Sequence, residues 1–99
     1  MRIIAVSTLR DFWSEASHRD AEQPLRAWVH VVRAADWAKP TDIKEMFRSA
    51  DILSAGRVVF DIGGNKYRLV AAIHYQARRI YVRFIGTHRD YDRIDARTV

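Results

Sequence analysis

Cysteine is absent from this chain, which excludes a disulfide framework, a zinc–thiolate site and thiol chemistry together. Long apolar runs are also missing. The N-terminal Ile3-Ile4-Ala5-Val6 is too short for a signal peptide and soon meets Arg10 and Asp11. No stretch approaches the about 18 apolar residues that a membrane span needs, so the expectation is a cytoplasmic protein with no membrane partner. Repeats, low-complexity tracts and linkers are lacking, and 99 residues make one domain, 1–99. Lysine is scarce. Of 17 cationic side chains only Lys39, Lys44 and Lys66 are lysine, leaving 14 arginines against 12 carboxylates and a net charge of +5. Arginine's planar fork suits phosphates and base edges, so a small arginine-rich domain leans towards nucleic acid or another acidic partner. With 48% apolar and 29% charged residues, the chain reads as an ordinary globule.

The first half has helical periodicity after a short strand, MRIIAV. Ser7 or Thr8 can cap a first helix with Asp11 in its first turn and Leu9, Phe12, Trp13 and Ala16 as its apolar stripe. In a second helix Pro24 suits the first turn, and Leu25, Trp28, Val29 and Val32 follow at i, i+3, i+4 and i+7. KPTDIKEMF predicts a short third helix with Ile43, Met46 and Phe47 turned inward, and 48–56 reads as loop. From Arg57 the period becomes two. RVVFDI, KYRLVAAIHY and RIYVRFIGT form three strands joined by GGN and a turn near Gln76–Arg78, an antiparallel meander. GGN lacks the length, the Lys-Ser/Thr ending and the helix of a phosphate loop. The expected architecture is α+β, with the N-terminal strand and helices on one face of the meander.

Strand alternation sorts the side chains. Val58, Phe60, Ile62, Tyr67, Leu69, Ala71, Ile73, Ile80, Val82 and Phe84 should lie beneath the helices. The opposite face collects Arg57, Asp61, Lys66, Arg68, His74, Arg79, Tyr81 and Arg83, with Val70 and Ala72 as a shallow floor. Cations beside a stacking ring are what a single-stranded RNA platform requires. At the end of the last strand, THRDYDR brings His88 and Tyr91, three residues apart, to the rim of that face if the chain turns helical after Thr87. A histidine and a tyrosine can exchange protons, and Arg68 and Arg83 can neutralise a pentavalent phosphate. These are the parts for RNA cleavage by the ribose 2′-OH without a metal or other cofactor. The alternative is that His88 caps the strand end and Tyr91 packs its ring on the core. The acidic residues show no metal-ligand cluster. His18 and His30 have no metal spacing, His74 fringes the face, and Trp13, Trp28 and Trp37 are most simply core.

GNKYRLV, YVRFIGTH and YDRID, with ADWAKPTDIKEMF, resemble the HigB-type toxins of the RelE/ParE-like superfamily over essentially the whole chain. The resemblance implies a compact RelE-like fold and a ribosome-dependent mRNA endonuclease encoded beside a helix-turn-helix antitoxin. It further implies that the toxin oligomerises only through the antitoxin complex. Mapped by chemistry onto the matching segments, His88 transfers protons, Tyr91 assists, Arg68 and Arg83 hold the scissile phosphate, and Lys66, Tyr81, Arg79 and Arg57 contact RNA. ParE-like gyrase poisons share the fold, and a non-catalytic RNA-binding module would use the same basic face.

Overall fold

The computed structural model describes residues 1–99. The chain runs β1 (Arg2–Ile4), α1 (Val6–Ser14), a 3-10 segment (Ala16–Ala21), α2 (Glu22–Ala34), α3 (Pro40–Met46), β2 (Asp51–Ile52), β3 (Arg57–Ile62), β4 (Tyr67–His74), β5 (Arg79–Thr87) and the one-turn α4 (His88–Tyr91). One five-stranded sheet has the order β1-β5-β4-β3-β2. The expected meander is its centre, antiparallel from β3 to β5. Two elements lie outside that expectation. β1 pairs in parallel with β5, making the sheet mixed, and the expected loop 48–56 contains β2, paired antiparallel with β3.

Helix α2 follows its periodicity, burying Leu25, Trp28, Val29 and Val32, with Pro24 in the first turn where its missing N–H costs nothing. Helix α1 starts earlier than its hydroxyl residues suggest. Its N-cap is Ala5, without a side-chain cap, so Ser7 and Thr8 lie inside the helix and Asp11 is past its first turn. Val6 packs against the core, and that contact draws the helix start forward over the weaker capping preference. Helix α3 is closed by Asp42, whose carboxylate accepts from the backbone N–H of Ala38 at 2.9 Å and of Lys39 at 3.2 Å. Its Ile43 is fully buried and Phe47 partly so, but Met46 is 51% exposed, contrary to the inward face expected for it. Helix α3 is seven residues long and turns only Ile43 fully into the core; Met46 instead offers its sulfur to the Trp37 indole N–H at 3.1 Å.

The main core lies between the helices and one face of the sheet, where Phe60 meets Trp28, Trp37 and Phe47 at ring-centroid distances of 5.4, 6.4 and 5.1 Å. Trp13, Trp28 and Trp37 are buried there as expected. Strict alternation fails at one point in β5. Val70 is opposite Phe84 and Ala71 is opposite Val82, so Arg83 is an extra residue at a β-bulge. Beyond the bulge the faces exchange. Ile85, not Phe84, packs against the main core; Phe84 joins a second cluster on the other face. The expected burial of Phe84 beneath the helices is therefore corrected by one inserted residue.

That second cluster also removes the expected shallow floor. Residues 88–99 fold across the sheet, and Ala96, Tyr91, Ile94 and Val99 cover Val59 and Val70, which are 1% and 0% exposed. The tail is amphipathic, and its apolar members seal a sheet face that the strand pattern alone leaves open.

Candidate functional site

The β3–β4 turn is built by Gly63 and Gly64 at φ of +64° and +77°, left-handed values that disfavour a Cβ. The hairpin sets Asp61 directly opposite Arg68. Arg68 Nε lies 2.9 Å from Asp61 Oδ1, both side chains are 20% exposed, and Arg68 Nη1 is 4.0 Å from Asp51. This half-buried pair fixes the guanidinium plane more firmly than a fully exposed ion pair would.

On β5, Gly86 is the residue opposite Arg68. The next residue, Thr87, is the N-cap of α4: its hydroxyl accepts from the Asp90 N–H at 3.2 Å, and its own N–H donates to the Asp90 carboxylate at 3.4 Å. The expected helical turn after Thr87 is thus present, and the capping box is its local cause. It delivers His88 and Tyr91 to Arg68. Arg68 Nε is 3.3 Å from His88 Nε2, and the guanidinium carbon lies 5.3 Å from the Tyr91 ring centre. Tyr91 is also half-buried beside Phe84, at 6.4 Å, so its ring belongs to both the site and the second core.

Gly86 leaves little room for a side chain at this junction. A Cβ there would lie 2.7 Å from Phe84 Cζ and 3.1 Å from Asp90 Cβ. Gly86→Ala is expected to cost about 1–3 kcal/mol through overpacking and to displace α4. A chemical-denaturation midpoint equal to that of the unmodified protein would show that the junction is not close-packed.

Two members of the site were not read from the sequence as functional. Asn65 Oδ1 is 2.9 Å from His88 Nε2, and Asp61 holds Arg68. Asn65 sits in the hairpin turn, where its residue type is explained by the turn. Only the closure of α4 against that turn brings it to His88. Asp61 carries a usable signal, since a short hairpin places it across from Arg68.

The other expected residues divide. Arg83, exposed at the bulge, has its guanidinium 6.0 Å from the Tyr81 ring centre, and Tyr81 meets His74 edge-on at 5.0 Å. Arg79 is exposed at the start of β5, opposite His74. These form a second polar patch with an accessible cation and an aromatic ring. Arg57 lies elsewhere: it is half-buried and donates through Nη2 to the Val99 carbonyl at 2.8 Å. Lys66 lies in the turn and pairs with Asp20 of the 3-10 segment, which also accepts from the Tyr67 hydroxyl. Hydrogen bonding from Lys66 and then from Tyr67 holds the Asp20 carboxyl below its ordinary value, and bonding to Asp20 raises Lys66. Burial, with the Asp20 bond second, raises Tyr67. Asp20 thus clamps the turn that carries Asn65. Its folded pKa is depressed, so the contribution is present above the ordinary 3.8 and lost as pH falls through the lower folded value.

No three His, Asp or Glu side chains converge in a way that could hold a metal ion. No helix is long and apolar enough to cross a membrane.

A family model for the RelE-like toxic component of a toxin–antitoxin system matches this α+β chain. The family model so described, HigB_toxin, matches residues 21–94, the whole of the site included. The chain belongs to the HigB toxin family. It is similar to the mRNA interferase toxin HigB of Escherichia coli K12, 29% identical over 94 residues that cover 93% of this chain and 88% of the relative. The same figures hold for the mRNA interferase HigB of Shigella flexneri. The mRNA interferase HigB of Escherichia coli O6:H1 is 28% identical over 72 residues, 71% of this chain and 70% of that one.

Proposed function

We propose that this chain is an mRNA interferase: an endoribonuclease that cuts ribosome-engaged mRNA by attack of a ribose 2′-OH and so halts translation until an antitoxin binds it. The observation that carries this reading is the setting of His88 Nε2, between Arg68 Nε at 3.3 Å and Asn65 Oδ1 at 2.9 Å. One nitrogen cannot accept from Arg68 and donate to Asn65 in the same tautomer. Each protonation state of Nε2 therefore has a partner ready. Unprotonated, it faces a guanidinium donor; protonated, it faces a carbonyl acceptor. A ring nitrogen so placed is suited to take up a proton and give it back.

In the reaction, a phosphate oxygen draws the Arg68 guanidinium, the Nε2 lone pair is released, and it accepts the 2′-OH proton. The 2′ oxygen forms its bond to phosphorus and the bond to the 5′ oxygen breaks, with a proton returned to that leaving oxygen. The Arg68 Nη groups oppose the charge that develops on phosphorus, and the exposed Arg83 guanidinium swings from the neighbouring patch onto the same phosphate when RNA binds. Asp61 and Asn65 are positioning residues, one for Arg68 and one for His88. Tyr91 keeps the guanidinium over its ring and assists proton transfer, while Tyr81 and Arg79 extend the RNA path with a stacking ring and a phosphate contact. Lys66, at the turn, and Arg57, beside the tail, border that path. The partner that restrains the toxin is an antitoxin with a helix-turn-helix DNA-binding domain, through which any higher oligomer forms.

Induced without its antitoxin, the protein is expected to arrest bacterial growth and leave cleaved mRNA. The fragments should carry 2′,3′-cyclic or 3′-phosphate and 5′-hydroxyl ends, because the 2′ oxygen is the nucleophile. Cleavage should survive chelation of free divalent ions on intact ribosomes. Fragments with 5′-phosphate ends would mean attack by water and overturn the mechanism. Arrest with intact mRNA and trapped gyrase would favour the ParE-like function instead.

A further inference from the structure

The β3–β4 turn that carries Asn65 is weakly closed from within. Gly63 and Gly64 both hold positive φ, and the backbone bond from the Lys66 N–H to the Gly63 carbonyl is long, at 3.3 Å. The two residues after Asn65 are tied instead to the 3-10 segment, far earlier in the chain. Lys66 Nζ and the Tyr67 hydroxyl both donate to the Asp20 carboxylate, one to each oxygen. Tyr67 is 1% exposed, and its ring meets Phe12 edge-on at 5.3 Å and His18 at 5.9 Å. His18 in turn stacks on Phe12 at 4.1 Å, so the 3-10 segment is itself fixed to α1. Tyr67 is also the strand partner of Thr87, the residue that caps α4 and precedes His88. Through these two residues Asp20 is connected to both parts of the His88 setting, the Asn65 turn and the start of α4.

We propose that Asp20 is a positioning residue for proton transfer: by holding Lys66 and Tyr67 it sets Asn65 Oδ1 against His88 Nε2. The inference rests on the cleavage reading and extends it to a residue outside the Arg68, His88 and Tyr91 cluster. At 2.9 Å the Asn65–His88 contact has full hydrogen-bond geometry, and a displacement of about 1 Å would break it. A misplacement of that size can cost about 10²-fold in rate even when its origin is far from the chemistry. The bond from Tyr67 is the more sheltered of the two that Asp20 accepts. The Lys66–Asp20 pair, with side chains 61% and 50% exposed, is the more screened. That pair also engages the ammonium, so Lys66 acts on the reaction through the turn rather than as a phosphate contact.

The test is cleavage of a defined mRNA on intact ribosomes by Asp20→Asn, Asp20→Ala, Asn65→Ala and Asp20→Ala/Asn65→Ala. Glu22→Gln is the control, since it removes an ion pair of similar exposure, to Arg26, away from the turn. Asp20→Ala is expected to lower kcat on the order of 10-fold with RNA affinity unchanged. Asp20→Asn, isosteric and still able to accept from Tyr67, should lose less. In the double variant kcat should match that of Asn65→Ala within about 2-fold, because Asp20 acts through Asn65. A merely stabilising residue would lower the thermal midpoint and leave kcat of the folded protein unchanged. Should Asp20→Ala fail to fold, Asp20→Asn carries the same comparison. The His88 ring resonances, followed by NMR, should move in Asp20→Ala as they do in Asn65→Ala, a readout that needs no cleavage. That shift in a protein that cuts no mRNA would count against the cleavage reading alone. Unchanged kcat and unmoved His88 resonances in Asp20→Ala would overturn the proposal. So would losses that multiply in the double variant, or weakened RNA binding at unchanged kcat, which would make the Asp20–Lys66 pair part of the RNA surface.

Discussion

His88→Ala is expected to slow mRNA cleavage by about 10²–10⁴-fold while leaving substrate binding and the fold intact, the usual range for a positioned acid–base group. The ring is only partly buried, at the start of a one-turn helix whose cap comes from Thr87 and Asp90 rather than from the imidazole. Its removal takes away no core contact, so a loss of rate reports on chemistry and not on folding. Arg83→Ala should behave differently. Losing one phosphate contact reduces the slope of log K against log salt by roughly 0.7 for single-stranded RNA, whereas His88→Ala leaves that slope unchanged. Asn65→Ala separates positioning from catalysis. If Asn65 holds protonated Nε2, its loss should lower kcat while RNA affinity stays constant. Cleavage by His88→Ala at the unmodified rate would reduce His88 to a strand-end residue and move proton transfer to Tyr91.

The second large effect is on stability. Phe60 is 1% exposed and touches three other aromatic rings of the main core. Phe60→Ala should cost about 3–5 kcal/mol, because the cavity left among Trp28, Trp37 and Phe47 cannot collapse around rings that pack on each other. In a domain of this size each kcal/mol lowers the thermal midpoint by roughly 4–8 °C. Phe84→Ala is expected to cost clearly less, since Phe84 is only half-buried, in the smaller cluster beneath the tail. It should nevertheless reduce activity, because Phe84 supports Tyr91. Equal losses for the two, measured by denaturant unfolding, would mean that the two clusters form one cooperative core and that tail and sheet do not separate energetically.

The sequence by itself determined the helices and the central strands. Leu25, Trp28, Val29 and Val32 keep helical spacing, and Tyr67, Leu69, Ala71 and Ile73 keep strand spacing, because each element must bury one stripe or one face. The Thr87-to-Asp90 cap was equally local: four consecutive residues contain both halves of it. His88, Tyr91 and Arg68 could be assembled from these pieces, since strand, turn and hairpin register are short-range properties. Only the tertiary structure decided the rest. The bulge at Arg83 inserts one residue and reverses the faces of Phe84 and Ile85, and in a β-strand a shift of one leaves no trace in composition. β1 joins β5 in parallel across more than seventy residues of chain, and β2 is two residues long; neither pairing has a local signal. The tail covers Val59 and Val70, and α4 reaches Asn65, because segments distant in sequence find apolar surface that the strands leave exposed. Lys66 turns to Asp20 and Arg57 to the tail for the same reason: a cation's partner is chosen by the folded surface around it, not by its neighbours in the chain.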